Sequence, residues 1–342
     1  DQLRWEKTST WNAGVDFAFL GYRLNGSFDF YRKSGSDLLT LTDLDVTTGF
    51  SALTINSGNM VNTGIEIQLM GRILQPRTRN DLGINLSFNL AYNHNKVTKI
   101  YHFPTSGNSN LSTSTLHIGY PVHSLFSYRD GGFVEQDGRY YASWIDNDGE
   151  THTSNITNPE FTVDQCVYSG SLDPKVTGAI TPEITWRGFT LSGMFNFYAG
   201  HVMRTGADIY TSYGGTSGYR TVFGMGEVHR SALDYWKNPD SGIPGNGYRA
   251  TYYSNVSMLG SADSNVVSAD YMKFRSLMLS YSFDPKLCRK IGLNDLRLRV
   301  QMNNIATWAR NGLGLDPEAV DPYTGHNTDK TPRSYTMSLF FN

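Results

Sequence analysis

The chain has 342 residues, of which 13% are aromatic and only 18% charged, with 34 glycines and a formal net charge of −2. So little charge beside so many aromatic and turn-forming residues points away from a helical soluble enzyme and toward an all-β protein. The near-neutral balance excludes the concentrated Lys and Arg footprint that phosphate backbones require, so no nucleic-acid partner is expected. No stretch approaches the roughly 18 apolar residues of a membrane-spanning helix, which excludes a helical membrane protein.

Taken in chain order, the apolar residues recur with a period of two, the signature of strands with one greasy and one wet face. Trp11, Ala13, Val15, Phe17 and Phe19 share one face, with Asn12, Gly14 and Asp16 on the other. Leu24, Phe28 and Phe30 answer them across a turn at Gly21. Ile65, Ile67 and Leu69 follow, opposed by Glu66 and Gln68. Ile84, Leu86, Phe88, Leu90 and Tyr92 then alternate unbroken with Asn85, Ser87, Asn89, Ala91 and Asn93. The same pattern returns at Val176, Ile180, Ile184 and Trp186, at Leu191, Phe195 and Phe197, and at Leu296, Leu298, Val300 and Met302. The segment from Tyr271 to Phe283 changes phase between Phe274 and Leu277, which predicts a bulge. The last strand puts Tyr335, Met337, Leu339 and Phe341 on one face.

A soluble sandwich would alternate too. The polar face decides between them: it is built of Asn, Ser, Thr, Gln and Gly where an exposed soluble sheet carries Lys and Glu, and the apolar face ends in aromatics suited to lipid headgroups. Strands of about ten residues also match the span of a tilted membrane strand. The fold expected is an all-β, antiparallel transmembrane β-barrel, with Phe17, Phe19, Phe28 and Phe30 facing lipid.

Connections alternate between short and long. Tight or moderate turns are expected at 20–22, 71–81, 187–188 and 284–294, and long external loops near 34–60, 96–174, 200–269 and 306–331, as in membrane barrels with short periplasmic turns. About nine strands result. An odd number cannot close an antiparallel barrel of even strand number, and unpaired edges in lipid leave backbone groups unsatisfied at several kcal/mol each, so further strands are expected upstream. The opening Asp1-Gln2-Leu3 carries no signal peptide, which is read as a removed or missing start.

Several short motifs recur in a fixed order: Leu3-Arg4-Trp5-Glu6-Lys7-Thr8, Gly26-Ser27-Phe28-Asp29-Phe30-Tyr31, Asp37-Leu38-Leu39, Asn56-Ser57-Gly58 and Asn62-Thr63-Gly64-Ile65-Glu66. Tyr271-Met272-Lys273-Phe274-Arg275-Ser276-Leu277, Gln301-Met302-Asn303-Asn304 and Leu315-Asp316-Pro317-Glu318 follow. In these segments the whole chain resembles the SusC/RagA-type TonB-dependent transporters of Gram-negative outer membranes. The resemblance implies the C-terminal part of a barrel of about 22 strands with a plugged lumen. It further implies energisation by the TonB complex through an N-terminal region outside this chain, a SusD-like surface lipoprotein partner, and an oligosaccharide or peptide substrate. It also places Tyr335, Met337, Leu339 and Phe341 in the signal read by the barrel-assembly machinery, although Asn342 follows where an aromatic usually ends such chains.

Chemistry is sparse. Cys166 and Cys288 could form one disulfide but are read as two unpaired cysteines, and neither has metal-ligand spacing. Asp146-Asn147-Asp148-Gly149-Glu150 resembles a calcium loop, but Trp144 stands where the first ligand belongs, and the segment is read as a solvated turn. Asp316, Glu318 and Asp321 offer carboxylates of the kind a glycosidase pairs, but are read as ordering an external turn. The eight histidines form no zinc pattern, no nucleophile elbow or P-loop occurs, and neither enzyme activity nor a cofactor is expected. Tyr140, Tyr141 and Trp144 in one long loop, and Tyr235, Trp236, Tyr248, Tyr252 and Tyr253 in another, carry flat apolar faces with polar tips suited to stacking on sugar rings or peptide side chains, or to packing the loops together. A nutrient importer is the function expected, with a surface-exposed carbohydrate-binding lectin or adhesin as the alternative.

Overall fold

The computed structural model describes residues 3–43, 52–101, 111, 116–136, 139–154, 156, 161–205, 253–254 and 256–342. Strands in chain order are β1 (Lys7–Phe19), β2 (Leu24–Asp43), β3 (Ala52–Leu74), β4 (Gly83–Ile100), β5 (Ser124–Ser127), β6 (Arg129–Gln136), β7 (Arg139–Ile145), β8 (Thr151–His152) and β9 (Val167–Ser171). They continue with β10 (Val176–Trp186), β11 (Phe189–Ala199), β12 (Val202–Arg204), β13 (Tyr253–Ser254), β14 (Val266–Ser268), β15 (Tyr271–Ser282), β16 (Leu296–Ala309) and β17 (Ser334–Phe341). Among the described residues nine of them form one antiparallel sheet in the order β1-β2-β3-β4-β10-β11-β15-β16-β17, the number expected from the alternation.

Register explains why this sheet has two unlike faces. Residues directly opposite across an antiparallel pair point to the same side. Val15 lies opposite Phe28, and the row continues through Ile67, Leu90, Gly178, Phe197, Met272 and Trp308. A second row runs Ile84, Ile184, Leu191, Leu279, Val300, Met337. One position along from the first, Asp16, Ser27, Gln68, Asn89, Ala179, Asn196, Lys273 and Thr307 share the other face. The sheet is therefore a single layer with a largely apolar face, interrupted by polar residues such as Arg32 and His94 toward one end, and a polar face. Its apolar side chains remain exposed, among them Val15, Leu191, Leu279, Val300 and Met337.

Short connections close one end. Trp186 and Phe189 pair across Arg187-Gly188, both at positive φ, the conformation a two-residue hairpin turn demands. The turn after β15 holds a short helix, Pro285–Lys290, capped by the Asp284 side chain, which accepts from the Lys286 N–H at 2.8 Å. Arg79 joins two of these turns by donating to the Phe283 carbonyl at 3.0 Å. Cys288, on that helix, is a buried free cysteine.

At the other end the expectation of a long loop over 34–60 is corrected. β2 continues to Asp43 and β3 begins at Ala52, so most of that segment is ladder. A bulge hid it. The register shifts on both sides of Leu38, and Asp37 takes φ 57°, which breaks the period of two on which the reading rested. The motif residues lock this bulge: Asn59 Oδ1 accepts from the Asp37 N–H at 3.1 Å, Asn56 Nδ2 donates to the Asp37 carbonyl at 2.7 Å, and Arg4 pairs with the Asp37 carboxylate at 2.9 Å. Gly58 lies so close to β4 that a Cβ there would meet the Lys99 carbonyl oxygen at 2.2 Å.

Candidate binding surface

The long segments beyond the sheet build a folded cap. β5 pairs with β9, β6 with β7, β7 with β8 and, in parallel, with β13, and β12 with β14. Leu111, Phe126, Tyr128, Ala142, Trp144, Ile156, Phe161, Met258 and Ala262 form one buried cluster. Segments 96–174 and 200–269 thus share a core. Backbone bonds tie them as well: Tyr128 N–H donates to the Ser261 carbonyl at 3.2 Å, and Asp263 N–H donates to the Tyr128 carbonyl at 3.0 Å. Arg204, only 2% exposed, donates to the Gly260 carbonyl at 2.9 Å and the Phe126 carbonyl at 2.6 Å. Burial lowers its guanidinium to about 10, against the pull of Tyr323 and Tyr128, and it stays charged at neutral pH.

The last long segment folds back onto the polar face of the sheet. Its anchor is the predicted bulge, present between Phe274 and Ser276, where Asn304 on the neighbouring strand adopts φ 56°. Lys273 and Arg275 both reach Glu318, and so does Tyr271, whose hydroxyl donates to Glu318 Oε1 at 3.0 Å. Arg275 Nη1 donates to Oε2 at 3.0 Å, and Lys273 lies 3.6 Å from Asp316. Burial pushes the Glu318 carboxyl up, but hydrogen bonds from Arg275, Lys273 and Tyr271 outweigh it and hold the group at about 2. Thr307 donates to Asp316 at 3.1 Å, and Asp321 accepts from the N–H groups of Tyr323 and Thr324. These carboxylates order the turn, as their sequence reading had it. Tyr323 completes the link to the cap by donating to the Leu111 carbonyl at 3.2 Å.

The predicted loop aromatics separate. Trp144 is 1% exposed: its ring stacks on His152 at 4.3 Å, meets Phe161 edge-on and donates through Nε1 to the Ser154 carbonyl. Its expected role in stacking on a substrate is corrected, since both ring faces are covered by the cap core. Tyr141 is half-buried on the same strand. Tyr140 and Tyr253 pair across β7 and β13, which the sequence placed in separate loops. Tyr235, Trp236, Tyr248 and Tyr252 lie outside the described residues. Tyr335, Met337, Leu339 and Phe341 share one exposed face of β17, which among the described residues pairs on one side only, with β16.

Sequence reasoning missed a cleft between sheet rim and cap. It has a volume of 560 Å³ and is lined by Tyr168, Lys175, His201, Asp263, Val267 and Asp270 among others. His201 sits on it with its Nδ1 buried and without a hydrogen-bond partner, 3.7 Å from Asp270 Oδ1. Burial lowers its pKa, against the pull of Asp270 and Asp173, and keeps the imidazole neutral at neutral pH. Asp270 accepts from the Gly200 N–H at 2.7 Å and pairs with Arg310 at 3.5 Å. No local sequence signal marks this cleft, because it joins residues about 100 positions apart.

A one-layer sheet with one apolar and one polar face, under a cap built from its long connections, has the architecture of an outer-membrane barrel wall. The family model of the TonB dependent receptor-like β-barrel matches residues 1–305, and the chain belongs to that family of outer-membrane proteins. Its likeness to the SusC/RagA type holds as well. SusC of Bacteroides thetaiotaomicron is 34% identical over 141 residues, which is 38% of this chain and 14% of SusC. Two TonB-dependent receptors of Formosa agariphila are 26% and 24% identical over 92% and 98% of the chain. Among solved structures, the RagAB peptide transporter shares the fold with a TM-score of 0.70 at 22% identity over 98% of the chain. The chain spans 33% and 32% of the two Formosa receptors and 35% of the RagAB chain.

Proposed function

We propose that this chain forms part of the wall and outer mouth of a TonB-dependent importer that brings an oligosaccharide or a peptide across the outer membrane. The observation that carries the reading is the register: nine strands place every second side chain on an apolar face for lipid and the intervening ones on a polar face for a wet lumen. The sides of β1 and β17 that are unpaired among the described residues are where further strands of the barrel would add. On this reading the importer works with a SusD-like surface lipoprotein, and the TonB complex drives it. Tyr140, Tyr141 and Tyr253, brought together on adjoining strands, are the aromatics assigned to substrate contact. Tyr335, Met337, Leu339 and Phe341 are assigned to the assembly signal. The role is conformational rather than catalytic, since Asp316, Glu318 and Asp321 are each engaged in ordering the last loop.

Deletion of the gene in its host, followed by uptake assays with labelled oligosaccharides and peptides and by complementation, tests this. Loss of uptake of one class, restored by the intact gene, is the expected outcome. Undiminished uptake of every compound, together with extraction of the protein in buffer without detergent, would overturn it in favour of a secreted carbohydrate-binding protein.

A further inference from the structure

The turn between β7 and β8 adds His152 to Asp146 and Glu150, two carboxylates of the segment read from the sequence as a solvated turn. Trp144 pairs with His152 and Ile145 with Thr151, so the hairpin closes over 146–150 with Gly149 at φ 88°. Asp146 Oδ1 accepts the N–H groups of Asp148 at 3.0 Å and Glu150 at 2.8 Å. That turns Oδ2 toward His152 Nε2, 2.7 Å away. The imidazole is held in plane by the buried Trp144 ring beneath it. Side-chain ligand atoms of Asp146, Glu150 and His152 all lie within 4.8 Å of one another. The turn itself is anchored to the cap: Arg129 donates to the Asp146 carbonyl at 3.1 Å, and Asn147 bonds the Asp164 carbonyl and the Gln165 side chain, each at 2.9 Å.

We propose that Asp146, Glu150 and His152 form a binding site for a divalent transition-metal ion, best matched by Zn²⁺, that staples the β7–β8 hairpin of the cap. The donor set decides the ion. Calcium takes about six to eight oxygen ligands, whereas one imidazole with two carboxylates suits zinc, with bonds of about 2.0–2.2 Å. Donors around a tetrahedral ion at those lengths stand about 3.4 Å apart, so Asp146 and His152 must part slightly and the exposed Glu150 must swing inward. Neither movement disturbs the backbone bonds of the turn. Metal then replaces the Asp146–His152 hydrogen bond, and a water takes the fourth position.

The test uses the full-length protein in detergent, stripped with a chelator and titrated calorimetrically with zinc sulfate and, separately, calcium chloride. Glu150→Gln is the deciding variant, because Glu150 is exposed and its replacement leaves the Asp146–His152 contact in place. The intact protein should bind one equivalent of Zn²⁺ more than this variant, or bind it more tightly by over the 10–100-fold typical of losing a mere supporting partner of a ligand. His152→Asn should abolish the same equivalent. Identical zinc titrations for the intact protein and Glu150→Gln would overturn the site, and saturation by calcium but not zinc would overturn the assignment of the ion.

Discussion

Replacing Glu318 with Gln should release the last loop from the polar face of the sheet. An unperturbed glutamate titrates near about 4.3, and Glu318 is held at about 2 by Arg275, Lys273 and Tyr271. At about 1.36 kcal/mol per pH unit, the charged form is favoured in the folded loop by about 3 kcal/mol. Because the folded value is depressed, this stability is fully present above about pH 4.3 and is lost as the pH falls toward 2. The substitution also leaves Lys273, 3% exposed, with Asp316 as its remaining counter-charge at 3.6 Å. Hydrogen exchange in detergent at pH 7 should therefore show amides of 316–328 opening about 100-fold more often in Glu318→Gln, while the β10–β11 ladder stays protected. Acidifying the unaltered protein from pH 5 to pH 2 should approach the same state, and the variant should respond little. Equal protection of 316–328 in both proteins at pH 7 would refute the reasoning.

Trp144→Ala should destabilise the cap by about 3–5 kcal/mol, visible as protease sensitivity of 124–171 with the barrel strands intact; a change in ligand affinity without it would return Trp144 to the binding surface. Leu279→Arg, on the apolar face, should cost about 2–4 kcal/mol in unfolding from lipid vesicles, and Gln301→Arg, on the opposite face, should cost far less; equal effects would contradict the assignment of faces. Phe341→Ala should lower the amount of folded protein in the outer membrane, measured by heat-modifiable gel mobility, and unchanged yield would remove Phe341 from the assembly signal.

The nine strands were legible because membrane strands must satisfy a local rule: each residue faces lipid or water, and the side-chain period of two prints that choice directly into the sequence. Ile84 to Asn93 shows it without a break, and the phase change after Phe274 announced the bulge at Arg275. Where a bulge broke the period at Asp37, the same rule failed and ladder was mistaken for loop. The cap obeys no such rule. Its core joins Phe126 and Trp144 to Met258 and Ala262, and Arg204 to carbonyls 56 and 78 residues away, so nothing local distinguishes a buried tryptophan from an exposed one. The burial of Trp144, the His201 cleft and the clamp on Glu318 were therefore decided by tertiary structure alone, because each depends on contacts between segments whose separation along the chain carries no periodic signal.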